Sequence, residues 1–163
     1  MSIQCPGAFA APSEAARPLY VITSDALADW LEAQDAAVAA WLRGIGFSGA
    51  PGELALWPGA DGAVAGAVLG LGPKAVQNRT RFAVAQAAAR LPKGAWALAS
   101  EMDLPSREEA ALAWMLAGYS YTLKSGAEPP VMPTLARPED VDARRIRIIA
   151  EGECLSRDLI NTP

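Results

Sequence analysis

The amino-acid sequence predicts an α/β fold, a sandwich of helices packed around a mixed sheet of about five strands. Three observations carry that expectation. Short β-branched and aromatic runs alternate along the chain with apolar stripes at helical spacing, the order expected of strands interleaved with helices. Two of the strand-like runs are joined by the turn Pro58-Gly59-Ala60-Asp61-Gly62, which makes a hairpin and so mixes strand directions. Hydrophobic residues form 52% of the 163, with alanine heavily used, which suits helices lying close on a sheet.

The elements follow in order. Leu19 to Thr23 reads as a first strand. Ser24 or Asp25 can cap one helix whose stripe is Leu27, Trp30, Leu31, Val38, Trp41, Leu42 and Ile45, ending near Gly44 and Gly46. Glu53 to Trp57 and Ala63 to Leu71 are the hairpin strands, with Asp61 read as turn chemistry. Asn78 caps a helix over RTRFAVAQAAARL, which stops at Pro92-Lys93-Gly94. Ala95 to Ser100 is the next strand. Ser106 and Glu109 form a capping box, and the helix after it is apolar nearly all round, hence buried. Lys124 to Pro130 is loop, and Val131 to Leu135 is a last short strand weakened by Pro133. A long helix from Glu139 has Val141, Ile148, Ile149, Leu155 and Leu159 as its buried stripe.

Composition excludes much chemistry. The chain has no histidine, so Ser-His and Cys-His pairs and Cys/His zinc sites are ruled out within it. Its two cysteines, Cys5 and Cys154, are far apart, and as unpaired thiols they suit a reducing compartment. Net charge is −4, which gives no drive toward nucleic acid or an anionic membrane. Apolar runs break well before the ~20 residues of a membrane span. The first residues lack a basic stretch followed by an apolar block, so no signal peptide is read and the chain is expected in the cytoplasm.

The candidate sites each have a plainer structural reading. Gly70 to Ala75, GLGPKA, sits where phosphate-cradling loops sit, but Ala75 replaces the third glycine and Pro73 removes a donor. A tight strand-to-helix connection is favoured over a nucleotide site. Glu101 and Asp103 read as a solvated loop, not a carboxylate pair. Arg137, Arg144, Arg145 and Arg147, interleaved with Glu139, Asp140 and Asp142, read as a solvated helix face with intrahelical ion pairs. Trp30, Trp41, Trp57, Trp96 and Trp114 read as core and interface anchors. No catalytic, cofactor-binding or metal-binding residue is assigned.

The stretch RDLINTP, Arg157 to Pro163, resembles the segment that leads into the catalytic domain of the M17 leucyl aminopeptidases, the cytosolic aminopeptidase family. WLRGIGFSGAPGELALWPGADGAVAGAVLGLG, LPKGAWAL and AALAWMLAGYSYTLK resemble the same family, so the likeness covers nearly everything from Leu19. It implies a macro-domain-like sandwich followed by a linking helix. The expected division is a flexible arm over 1–18, the α/β domain over 19–137 and the linking helix over 138–163. The family's catalytic motif, similar to N-T-D-A-E-G-R-L, is absent here. The resemblance therefore implies the non-catalytic, scaffolding part of a peptidase that removes N-terminal residues from peptides. Its two divalent ions, manganese or zinc, would sit in a catalytic domain that this chain lacks. That domain is the implied partner, with a hexamer as the implied assembly. The alternative is a free-standing macro-like module that binds a nucleotide or an ADP-ribose-type ligand.

Overall fold

The computed structural model describes residues 7–11, 14–75, 82–119 and 131–161. Among them, six strands form one sheet: β1 (Ala8–Phe9), β2 (Arg17–Ile22), β3 (Leu54–Pro58), β4 (Val64–Gly70), β5 (Ala95–Leu98) and β6 (Thr134–Leu135). Their order across the sheet is β1-β6-β5-β2-β4-β3. Every neighbouring pair is parallel except β3 and β4, the hairpin. The mixed α/β sheet is the one expected, with one more strand. Ala8–Phe9 and the start of β2 at Arg17 lie within residues 1–18, where the sequence led us to expect a flexible arm.

Strand periodicity sorts the core onto two faces. Leu19 and Val21 of β2 point to one side with Ala67 and Leu69 of β4. There they meet α3 (Ala83–Ala88), α4 (Leu104–Leu116) and the start of α5 (Ala143–Asn161). Ile22 of β2, Val68 of β4 and Trp57 of β3 point to the other side, with Tyr20 partly buried beside them. There they meet Leu31 of α1 (Leu27–Glu32), Ala39 and Leu42 of α2 (Ala36–Gly44), and Phe47. The molecule is thus three layers, helix on sheet on helix. Trp96 and Trp114 are fully buried, and each indole N–H reaches a carbonyl, that of Pro92 at 3.0 Å and that of Pro133 at 3.0 Å.

The single helix expected over Leu27 to Ile45 is two. The Gln34 side chain donates to the Trp30 carbonyl at 3.2 Å and satisfies the end of α1. Asp35 is then extended, with φ −52° and ψ 139°, and α2 starts afresh. Trp41 on α2 stays 46% exposed, because it lies over the outer edge of β3, where its indole donates to the Leu56 carbonyl at 2.9 Å. Asn78, expected to cap the third helix, lies outside the described residues, as does the loop expected over Lys124 to Pro130.

The capping box is corrected. Helix α4 begins at Leu104, and its cap is Asp103, whose carboxylate accepts the Ser106 N–H at 3.0 Å. Pro105 in the first turn suits a start there. The stripe of the last helix is corrected as well. Helix α5 starts at Ala143, where Asp142 accepts the N–H groups of Arg144 and Arg145. It buries Ile146, Ala150 and Cys154, while Ile148, Ile149 and Leu159 face out. Cys154 is fully buried and disulfide-bonded, so the expectation of two unpaired thiols does not hold.

Close approach requires several glycines, Gly66 and Gly70 among them. A Cβ on Gly66 would lie within the Trp57 ring, and one on Gly70 would meet the backbone of Gly49 and Ala50. Gly66→Ala should therefore displace Trp57 and cost about 1–3 kcal/mol. In a thermal melt followed by circular dichroism, that reads as a fall of several degrees. An unchanged melting temperature would show that the indole does not fix the β3–β4 contact.

Candidate functional site

Strands β2, β4 and β5 run parallel, so their carboxyl ends meet at one edge of the sheet. The chain leaves β2 toward α1 on one face, and leaves β4 and β5 toward α3 and α4 on the other. Where connections part in this way, a crevice opens at the strand ends, the usual ligand position in open α/β sheets. Here it encloses about 1030 Å³. Tyr20 and Trp30 line it on the α1 side, with ring centres 5.1 Å apart and planes at 61°, an edge-to-face contact. Ala110 and Ala113 of α4 line it on the other side.

Beyond the ladder, one hydroxyl ties β2 to the segment after β5. Ser100 Oγ accepts the Val21 N–H at 2.7 Å and donates to the Val21 carbonyl at 2.9 Å. It does so at the floor of the crevice. Among the described residues, Glu101, Asp103, Glu109 and Lys74 line its mouth. The Asp103 carboxyl is held below its ordinary range by the hydroxyl and N–H of Ser106, with a smaller push from the Arg107 charge. The Trp30 indole N–H is buried with no hydrogen-bond partner.

The GLGPKA loop borders this crevice but cannot cradle phosphate. The Gly70 N–H goes to Glu53, that of Leu71 to Ile22 and that of Gly72 to Gly49, all carbonyls at 2.8–2.9 Å. Pro73 has none. The Lys74 N–H goes to the Asp25 carboxylate at 2.6 Å. From Gly70 to Lys74 every backbone N–H is already engaged, and the Asp25 carboxylate occupies the place an anion would need. The connection is structural, and Gly72 at φ 74° makes its turn.

The remaining candidates fall where turn and surface chemistry put them. Asp61 accepts the Ala63 N–H at 3.0 Å within the hairpin turn. Glu101 and Asp103 both line the crevice mouth, where Asp103 serves the helix. The expected intrahelical pairing of the arginine cluster is not what its best contact shows: Arg145 meets Glu108 of α4 at 2.9 Å. Arg157 pairs with Glu153 at 3.0 Å, one turn away, and stands over the Tyr119 ring. Asp158 accepts the Tyr119 hydroxyl at 2.7 Å. Among the described residues no group of three His, Cys, Asp or Glu side chains could hold a metal ion. The described residues thus do not fit a two-metal centre.

Two candidate surfaces are not marked out by the sequence reading. One is the crevice, whose walls come from segments some 70 residues apart. The other is the outer side of α5. Ile148 and Leu159 are 58% and 61% exposed and lie on one line with Leu155 and Gly152, opposite the buried face. A Cβ on Gly152 would meet nothing within 4 Å. Ile149 and Ile160 flank that line and are exposed too.

Residues 17–132 match the family model described as M17 aminopeptidase, N-terminal domain. A protein from Leifsonia xyli subsp. xyli (strain CTCB07) named probable cytosol aminopeptidase is 34% identical over 137 residues, which is 77% of this chain and 28% of that protein. The crystal structure of cytosol aminopeptidase from Coxiella burnetii superposes with a TM-score of 0.80 at 28% identity, over 94% of this chain and 33% of that one. The bottromycin maturation enzyme BotP in complex with Mn superposes with a TM-score of 0.59 at 26% identity, over 91% of this chain and 32% of that one. The chain therefore spans about a third of the length of the relatives it matches.

The Asp103 cap makes a stability claim with a sign. Its lowered carboxyl gives stability that is present above the ordinary carboxylate range and lost as pH falls through the lowered value. Asp103→Ala should melt below the parent chain at pH 7, and the gap should close as the pH is taken down through the carboxylate range. A gap that stays constant with pH would mean that the charge on Asp103 is irrelevant to α4.

Proposed function

The chain belongs to the M17 aminopeptidase family as its N-terminal domain, and from that premise we propose that it is the scaffold of a two-metal peptidase, with no catalysis of its own. The observation that carries this reading is the exposed apolar line on α5. A surface helix normally buries its apolar side. This one buries Ile146, Ala150 and Cys154 against the domain, and has a second apolar side, Ile148, Leu155 and Leu159, directed away from it. We assign that second side to the catalytic domain. Relatives about three times as long have room for such a domain.

On this reading residues 19–137 are the supporting sandwich, 138–163 the link, and the first 18 an arm that adds β1 to the sheet edge. The parent protein would release N-terminal amino acids from peptides. Its two divalent ions, manganese or zinc, would be held by carboxylates of the catalytic domain, and six copies would assemble in the cytosol. The names of the relatives support aminopeptidase activity, and the complex of BotP with Mn supports manganese. The nucleotide-binding alternative loses its main support, because the backbone N–H groups from Gly70 to Lys74 are already engaged.

The test has two arms. This chain, supplied with Mn²⁺ or Zn²⁺, should not hydrolyse a leucine anilide. Mixed with a separately produced M17 catalytic domain, it should form a complex. The pair Ile148→Asp and Leu159→Asp should weaken that complex at least roughly tenfold by calorimetry. The melting temperature of the chain alone should barely move, since both side chains are exposed. Metal-dependent turnover that copurifies with the chain, or a complex indifferent to both substitutions, would overturn the reading.

A further inference from the structure

Gly152 stands in the middle of α5, where a glycine costs helix stability relative to alanine. Nothing within the domain calls for it. A Cβ there would meet nothing within 4 Å, whereas Gly66 and Gly70 are each packed hard against other groups. Its backbone is helical, so no turn needs it either. The space it leaves lies in the apolar line of α5, between Ile148 and Leu155. We infer, on the scaffold reading, that this space is a socket: the catalytic domain lays a helix along α5 and lodges one large apolar side chain over Gly152.

Spacing selects a helix as the occupant. Ile148, Gly152, Leu155 and Leu159 follow one another at steps of four, three and four residues, the repeat of a coiled-coil seam. All four fall within about 60° of one another around α5, a narrow strip running along the helix for about three turns. A helix crossing at about 20° follows such a strip, and one crossing at about 50° leaves it. Shape selects the large side chain. In this packing each knob enters a hole made by four residues of the facing helix. Ile148, Glu151, Gly152 and Leu155 occupy the positions of one such hole, and the side chain missing at Gly152 deepens it. The matched relatives have chain to supply the helix, since this chain covers 28% of one and 33% of another.

Gly152→Leu fills the socket and separates folding from binding. In the 163-residue chain alone, the melting temperature should hold or rise, because leucine is the better helix former and meets no neighbour there. In calorimetry against a separately produced M17 catalytic domain, the same substitution should weaken the complex at least roughly tenfold. Gly152→Ala, a smaller intrusion, should weaken it by less. Ile160→Asp, on an exposed side chain beside the strip, should change the affinity less than about threefold. A complex that resists both Gly152 substitutions yet is lost with Ile148→Asp and Leu159→Asp would overturn the socket and leave the scaffold reading standing. Failure of the unsubstituted chain to form any complex would overturn both. Sedimentation of the chain alone should show a monomer. A dimer dispersed by Gly152→Leu would assign the seam to a second copy of this chain and overturn the catalytic-domain helix as its occupant.

Discussion

Strand β2 is hydrogen-bonded on both edges and covered on both faces, and the rest of the molecule is arranged around those four contacts. Leu19 to Ile22 pair with β4 on one side, and Arg17 to Leu19 pair with β5 on the other. Leu19 and Val21 require one helical layer, and Tyr20 and Ile22 require the other. Because β2 sends its own connection to one face while β4 and β5 send theirs to the opposite face, the crevice follows from the topology itself. Where the β2–β5 ladder runs out, the Ser100 hydroxyl takes over both hydrogen-bonding groups of Val21. Without it, the strand end under the crevice would be left with an unsatisfied donor and acceptor.

The connections around β4 show the same economy of backbone groups. The Glu53 carboxylate gathers the N–H and hydroxyl of Ser48 and the N–H of Ala50, and so shapes the glycine-rich loop between α2 and β3. That loop packs directly on Gly70, where any side chain would intrude. The glycines of GLGPKA thus serve close approach of one backbone to another. The same residues could be mistaken for a phosphate loop, because both uses need small residues at a strand end.

Much of the fold is legible in the sequence, and the exceptions have physical causes. The hairpin, the buried α4 and the short strand spoiled by Pro133 are local properties, readable from turn chemistry and periodicity. The α5 face is not. Ile146, Ala150 and Cys154 form a stripe of modest residues, while Ile148, Leu155 and Leu159 form one of large residues. Periodicity favours the larger stripe. Packing chose the smaller, because alanines of α4 such as Ala110 and Ala111 leave space for a close helix. The S-x-x-E signal at Ser106 was similarly outranked by Asp103 three residues earlier, which places Ser106 as the donor to the cap. The crevice has no local signature at all, since its walls meet only after folding.

The Trp41 contact has a consequence for how copies of this protein can meet. Strand β3 borders the sheet and pairs with a neighbour on one side only. An open border of that kind invites a strand from another molecule to extend the sheet. Here an indole from α2 lies across it and occupies the Leu56 carbonyl. Strand addition is hindered at that border, and among the described residues the strand at the opposite border, β1, is two residues long. At the β3 border, contact with another molecule falls to side-chain packing on the Trp41 indole and not to the repeat of a continuous sheet.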